Sequence, residues 1–437
     1  MKRAALAVAL TALLGAAPTA LLAQQHSADT SASALHWAAY RNDLDAVKRL
    51  LAEGADPNAV NRFGVTPLHE AATVGNAAML EALLDAGGDA NAAFGEGETV
   101  LMTAARAGDT ESVKTLLAHG GKPDATENWH GQTALMWAAI ENHADIVQLL
   151  LDAGAEVDRA STKHDWVKIS YSEGNVPKTR DLGGLTALQF AAREGSAEAV
   201  EKLLAAGADA NAAEPMYQLT PLQLAILNGH YILAKSLIER GVGIDDGSLY
   251  LAVDTRNLGF YAQRPNPPEN DGDVTALDVV NALLTRGANP DSPYTKGLPE
   301  GVLPEGAARP RLPERTVAGD IEVPPGATAL DRAAAAADFA VVATLLEHGA
   351  SATVVTEDGT TPLMLLAGYS RTRTNAPLSD IPKRLELIRL MLEKGADVHA
   401  VHKDSTNNAL FFAKQRNAPE VIALLEQFGA REATAAN

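Results

Sequence analysis

The sequence contains no cysteine and few aromatic residues. Without a cysteine among its 437 residues the chain has no disulfide, no thiolate metal site and no lipid-modified cysteine. Aromatic residues make up only 5% of the chain, so those that stand in turns, where packing rarely requires them, mark candidate contact surfaces. The stability of the fold must therefore come from the packing of other side chains.

Positive charge is also scarce. Lys and Arg number 36 against 55 Asp and Glu, and the formal net charge is -19 at pH 7. Such a surface repels nucleic acid and anionic lipid, so protein partners are favoured. The chain has no nucleophile elbow, no Gly-rich phosphate-binding loop and no HExxH motif. We therefore predict no enzyme activity and no cofactor.

Two weak metal motifs do not change this prediction. Residues 269–273 faintly resemble a calcium loop but lack its alternating ligands and its terminal bidentate Glu. His130 and His143 have no third ligand at a recognised zinc spacing. We predict no metal site.

Long apolar runs are confined to the start of the chain. Residues 1–23 have Lys2 and Arg3, an apolar stretch and small residues before the polar Gln24, the three parts of a secretory signal peptide. An uncleaved anchor is the alternative, because Leu21 stands where a small residue is preferred at a cleavage site. With the segment removed, residues 24–32 form a short linker and the mature chain has no membrane span. We predict a periplasmic or secreted protein.

One unit recurs along the rest of the chain. Thr66-Pro67-Leu68-His69-Glu70-Ala71-Ala72 returns in degraded copies from Ser33 to Ala413. A hydroxyl residue followed by Pro or a small residue favours the start of a helix. A second apolar helix follows in each copy, and glycine is typical of its end. Ten such glycines mark ten units, at positions 54, 87, 120, 154, 207, 241, 287, 349, 395 and 429.

On these motifs the chain resembles the ankyrin repeat family, in an exported, bacterial-envelope form. The units open at Ser33, Thr66, Thr99 and Thr133, with spacings of 33, 33 and 34 residues. The resemblance implies an all-α solenoid over residues 33–430, with about ten helix-turn-helix units joined by hairpin loops and a disordered tail at 431–437. Long inserted loops are expected at about residues 159–185, 258–274, 291–327 and 371–384.

In the family, partners bind the concave surface formed by the hairpin tips and the exposed part of each first helix. Carried onto this chain, that surface predicts a set of partner-binding residues: Tyr40, Arg41, Phe63, Phe94, Arg106, Trp129, His130, Ile140, Trp166, Tyr171, Arg193, Tyr217 and Leu227. The alternatives are that each aromatic residue folds back on a neighbouring hairpin and that the charged residues form a solvated helix face. Trp37 and Trp137 are predicted to pack in the core. His119 and His348 are predicted to cap helix ends.

The leading hypothesis is an exported, monomeric scaffold that binds another protein. The second possibility is a secreted effector that acts on host proteins, which would bind them by the same chemistry but outside the cell that makes it. A receptor for a small molecule or ion, with a pocket beneath the 291–327 loop, is the third possibility. The sequence does not identify the partner.

Overall fold

The fold is built almost entirely from short helices. The structure, a computed structural model, describes residues 32–163, 183–215, 218–244, 247–257, 270–294, 326–369, 378–403, 405 and 407–432. These residues form twenty helices. The first ten are α1 (Ala34–Tyr40), α2 (Leu44–Ala52), α3 (Pro67–Val74), α4 (Ala77–Asp85), α5 (Val100–Ala107), α6 (Thr110–Ala118), α7 (Ala134–Ile140), α8 (Ala144–Asp152), α9 (Ala187–Glu194) and α10 (Ala197–Ala205). The second ten are α11 (Pro221–Leu227), α12 (Tyr231–Glu239), α13 (Ser248–Arg256), α14 (Ala276–Thr285), α15 (Ala329–Ala336), α16 (Phe339–Glu347), α17 (Pro362–Leu366), α18 (Ile381–Glu393), α19 (Ala409–Gln415) and α20 (Pro419–Gln427).

The helices alternate between two roles. Each odd-numbered helix packs on the even-numbered helix that follows it, as α1 does on α2 and α5 on α6. Within α1 to α10 and, separately, within α11 to α20, the odd-numbered helices form a first stack and the even-numbered helices form a second stack beside it. Small residues allow the close approach within the first stack, since Ala38, Ala39, Ala71 and Ala72 are all buried.

Threonine caps begin most odd-numbered helices. The Oγ1 of Thr186 accepts the backbone N–H of Gln189, and Thr328 does the same for Asp331. In return the Gln189 Oε1 accepts the Thr186 N–H at 2.9 Å. A reciprocal pair of this kind satisfies two donors that the helix leaves unpaired, and a cap is typically worth about 1 kcal/mol. Gln and Asp thus replace the histidine of the repeat motif at this position without loss of the cap.

Glycine stops the even-numbered helices, as the sequence predicts. Gly54, Gly120 and Gly154 have φ values of 87°, 84° and 91°, in the left-handed region that other residues rarely adopt. The chain then turns, and Asn or Asp side chains tie several of these turns to the next. Asn91 Oδ1 accepts the Lys122 N–H at 2.9 Å, and Asp124 Oδ1 accepts the Glu156 N–H at 3.0 Å.

The chain divides into two compact units. The described part of the first comprises residues 32–163 and 183–215, with helices α1 to α10. The second unit contains the described residues from 218 onward, with helices α11 to α20.

The helical fold confirms the predicted all-α class, with two minor additions. β1 (Ala93–Phe94) pairs antiparallel with β2 (Glu98–Thr99), and β3 (Asn270–Asp271) pairs antiparallel with β4 (Val274–Thr275). The β3–β4 hairpin lies at the end of the predicted 258–274 insertion, and Thr275 caps the second helix of its pair rather than the first. No helix of the described residues is long and apolar enough to span a membrane.

Several predictions fall outside the described residues. The signal peptide, the linker up to residue 31 and the tail from residue 433 are among them. Most of the predicted insertions at 159–185, 258–274 and 291–327, and the first half of the one at 371–384, also lie there. These boundaries remain predictions.

Candidate partner-binding site at the hairpin turns

Two consecutive turns of the first unit lie side by side. The β1–β2 hairpin carries Glu96 at its tip, and the next turn spans residues 127–132. The Asn128 N–H donates to the Glu96 carbonyl at 2.6 Å. Gly97 suits this approach, since its φ is 92° and a Cβ on it would lie 2.9 Å from the side-chain Nδ2 of Asn128 and 3.4 Å from the Asn128 backbone nitrogen. The two turns therefore present one continuous surface.

A buried carboxylate shapes the second turn. Glu127 is only 7% exposed, and its oxygens accept the backbone N–H groups of Trp129 at 2.6 Å, His130 at 2.8 Å and Gln132 at 2.9 Å. Three donors on one carboxylate fix the path of the chain through the turn. As a result Trp129 projects outward, with 56% of its surface exposed and its ring stacked on His130 at 5.6 Å.

The adjoining helices add a fixed cation and a second indole. Arg106 on α5 forms an ion pair with Glu98 at 3.2 Å, and its guanidinium lies 4.6 Å from the Trp137 ring centroid. Glu98 also accepts the Thr103 hydroxyl at 2.9 Å. Burial raises the pKa of Glu98, while Arg106 and Thr103 oppose that shift. The Trp137 Nε1–H donates to Gln132 Oε1 at 2.8 Å, which links α7 to the turn.

These side chains surround one open pocket of about 320 Å³, here called the acidic aromatic pocket. Its volume lies at the small end of the range for ligand pockets. It is lined by Phe94, Glu96, Glu98, Glu127, Trp129, His130, Gln132 and Trp137. Aromatic surface and three carboxylates thus meet where the backbone of the turns is held by hydrogen bonds. This combination suits recognition of another molecule more than it suits catalysis.

Comparison with known proteins supplies the family. A family model described as "Ankyrin repeats (3 copies)" matches residues 75–161 and 160–247, and a model described as "Ankyrin repeats (many copies)" matches residues 35–84. Residues 35–247 therefore belong to the ankyrin repeat family. The matches place the acidic aromatic pocket within the ankyrin repeats, because its residues lie between positions 94 and 137.

The chain is similar to two human proteins over part of its length. It is 36% identical over 97 residues to the human Ankyrin repeat and SOCS box protein 16, a stretch that covers 22% of this chain and only 18% of the relative. The crystal structure of the human ASB11 ankyrin repeat domain has 27% sequence identity and a TM-score of 0.43. It matches over 59% of this chain and all of that domain.

The structure separates the predicted binding residues of the ankyrin repeats into three groups. Phe94, Trp129 and His130 line the acidic aromatic pocket, and Arg106 borders it through Glu98 and Trp137. Away from the pocket, the half-buried or exposed residues are Tyr40, Arg41, Phe63, Ile140, Arg193 and Leu227. Trp166, Tyr171 and Tyr217 lie outside the described residues.

The predicted binding residues differ in how far they pack against other side chains. Phe94 packs edge-on against the buried His69 ring at 4.7 Å, and Phe63 lies under its neighbour Arg62 at 4.6 Å. Arg193 lies over Phe190 at 5.0 Å. Trp129 differs from them, because most of its surface remains exposed despite its stacking on His130.

Sequence reasoning missed five residues that line the pocket: Glu96, Glu98, Glu127, Gln132 and Trp137. The prediction that Trp137 packs in the core is wrong, because the ring is only half-buried between Arg106 and Gln132. Trp37 is likewise half-buried, with its ring edge-on to Tyr40 at 6.0 Å. The available signal was the placement of three glutamates within a few residues of Phe94 and Trp129.

The two helix-capping histidines are where they were predicted. His119 Nδ1 lies 2.9 Å from the Thr115 carbonyl, and His348 Nδ1 lies 2.9 Å from the Thr344 carbonyl. The bond to Thr115 is the largest cause of the raised pKa of His119, and Asp85 adds to it. Both histidines therefore serve helix ends.

Proposed function

We propose that this chain is a scaffold that binds another protein through the surface formed by its hairpin turns and odd-numbered helices. The single observation that carries the proposal is Trp129, a large apolar side chain left 56% exposed on a turn that a buried carboxylate holds rigid. Tryptophan is enriched among residues that dominate binding energy, and a rigid anchor loses little entropy on binding. Ankyrin repeats in general serve as non-enzymatic binding scaffolds.

The proposal includes the organisation and the location of the protein. The twenty described helices form ten pairs, which supports ten ankyrin units along residues 33–430. The signal-peptide pattern of residues 1–23 supports export to the periplasm or the medium. We take the exported chain to act as a monomer. Fractionation of the source cells tests the location, and recovery with cytoplasmic proteins would remove the export part of the proposal.

A pull-down with paired variants tests the binding surface. The purified chain is immobilised and incubated with an extract of the compartment in which it is found, and captured proteins are quantified against Trp129→Ala. We expect at least one specifically captured protein to fall about tenfold or more with Trp129→Ala, in the range of an interface hot spot.

Val60→Ala is the matched control. Val60 is an apolar turn residue of the same unit, 61% exposed, and it does not line the acidic aromatic pocket. Its substitution should leave capture unchanged. Equal capture by wild type, Trp129→Ala and Val60→Ala would place the binding surface elsewhere and refute the proposal.

A further inference from the structure

The acidic aromatic pocket has the electrostatic character of a cation site. Glu96, Glu98 and Glu127 all line it, and Arg106 supplies the positive charge that balances one of them. Glu98 and Glu127 are held by fixed donors, whereas Glu96 is exposed at the tip of the β1–β2 hairpin. The pocket therefore has an excess of negative charge, which attracts cations and repels anions.

The aromatic walls favour an organic cation over a bare metal ion. The guanidinium of Arg106 already lies over the Trp137 ring, 4.6 Å from its centroid. The ring of Trp129 offers exposed π-surface at the same pocket. Indole rings attract cations through their quadrupole and give the strongest cation–π contacts of the aromatic side chains. In the described part of the chain, no group of three or more His, Asp or Glu side chains is arranged to hold a metal ion.

We propose that the acidic aromatic pocket receives an arginine or lysine side chain from a basic segment of the partner protein. The cation is placed between the Trp129 ring and the carboxylate of Glu96, with Glu98 and Glu127 supplying longer-range attraction. The small volume of the pocket, about 320 Å³, suits one side chain. This inference rests on the proposed binding function and names the chemistry of the residue that is recognised.

Indole NMR with single-cation peptides tests the pocket directly. The full chain is labelled with 15N-tryptophan and titrated at 0.15 M salt with acetyl-Gly-Gly-Arg-Gly-Gly-amide, with the lysine analogue and with the neutral citrulline analogue. We expect saturable shifts of the Trp129 and Trp137 indole signals with the two basic peptides. The Trp37 indole, which lies in the same unit but outside the pocket, should not shift. Citrulline should bind about tenfold or more weakly.

Two variants and two controls locate the effect. Glu96→Gln and Trp129→Ala should each lower the affinity for the arginine peptide by roughly five- to tenfold. A loss of this size is expected when a partly exposed cation loses one of its partners. Both side chains are exposed, so the fold is expected to survive their replacement. Glu81→Gln removes the same charge from an exposed position on α4, and Val60→Ala removes exposed apolar surface from another turn. Neither control should change the affinity.

The outcomes distinguish this proposal from the binding function on which it rests. Equal binding of citrulline and arginine, full affinity in both variants, or no saturable shift with either basic peptide would overturn the cation site. If any of these results is obtained and Trp129→Ala still loses capture of the partner protein, the proposed scaffold function stands without a cation site. If the peptides bind as expected but Trp129→Ala captures the partner protein as well as wild type does, the cation site stands and the proposed partner-binding surface is wrong.

Discussion

Replacing Glu127 should release the turn that presents Trp129. Its carboxylate accepts three backbone N–H groups in a buried position, and hydrogen bonds to a charged group are worth about 1.5 to 3 kcal/mol each. Their sum is an upper limit, because the freed N–H groups of the exposed turn regain water. We therefore expect Glu127→Ala to lower the local free energy of unfolding by about 2 to 4 kcal/mol. Glu127→Gln keeps one accepting oxygen and should lose about half as much.

Amide hydrogen exchange is the appropriate assay for this change. The chain has two compact units, so a single global unfolding free energy does not isolate one turn. Exchange at Trp129, His130 and Gln132 should accelerate by roughly 30-fold or more in Glu127→Ala. Glu96→Gln alters an exposed carboxylate on the neighbouring tip and should change exchange there by less than about threefold. Unchanged exchange in Glu127→Ala would refute the view that this carboxylate holds the turn.

Three further changes test the fold through its buried groups. Burial lowers the pKa of His69 to about 4, so the neutral ring stabilises the fold above pH 6.5 and that stability is lost as the pH falls toward 4. Glutamine already occupies the equivalent repeat position at Gln189. Between pH 7.5 and pH 4.5, His69→Gln should reduce the loss of unfolding free energy of the first unit by up to about 3 kcal/mol, measured by urea denaturation. Burial raises the pKa of Asp331 to about 6, so the protonated side chain contributes fully to stability below pH 3.8, and this contribution is lost as the pH rises through 6. Asp331→Asn should therefore stabilise the second unit by about 1 to 3 kcal/mol at pH 8 and by little at pH 4, measured by thermal unfolding at both pH values. Leu83→Ala, at a fully buried position on α4, should cost about 2 to 5 kcal/mol in urea denaturation, and a loss below about 1 kcal/mol would mean that the core there is loosely packed.

The helices could be predicted because each has a local signal for its start and its end. Thr186 and Thr328 cap helices through their own side chains, and Gly120 ends one through a backbone conformation that favours glycine. Such interactions span only a few residues, so they are visible in the sequence. The same locality explains why Gln189 can replace histidine without changing the helix.

The candidate site could be predicted only in part. Phe94 and Trp129 stand out because aromatic residues make up only 5% of the chain and packing rarely requires them in turns. Glu127 and Trp137 were missed because their roles depend on contacts that the repeat pattern does not specify. Trp137 lies at the same repeat position as Trp37, but its exposure depends on Arg106 and Gln132 approaching from different elements. A hydrogen-bonded turn and an ion pair between elements leave no periodic trace in the sequence.

Site-specific photo-crosslinking tests the central claim most directly. A photoreactive phenylalanine is placed at Trp129 on the turn or at Glu111 on α6, an exposed position of an even-numbered helix, and the chain is irradiated in the compartment where it resides. We expect a discrete cross-linked partner from position 129 and none from position 111. A partner cross-linked only from position 111 would contradict binding through the hairpin-turn surface.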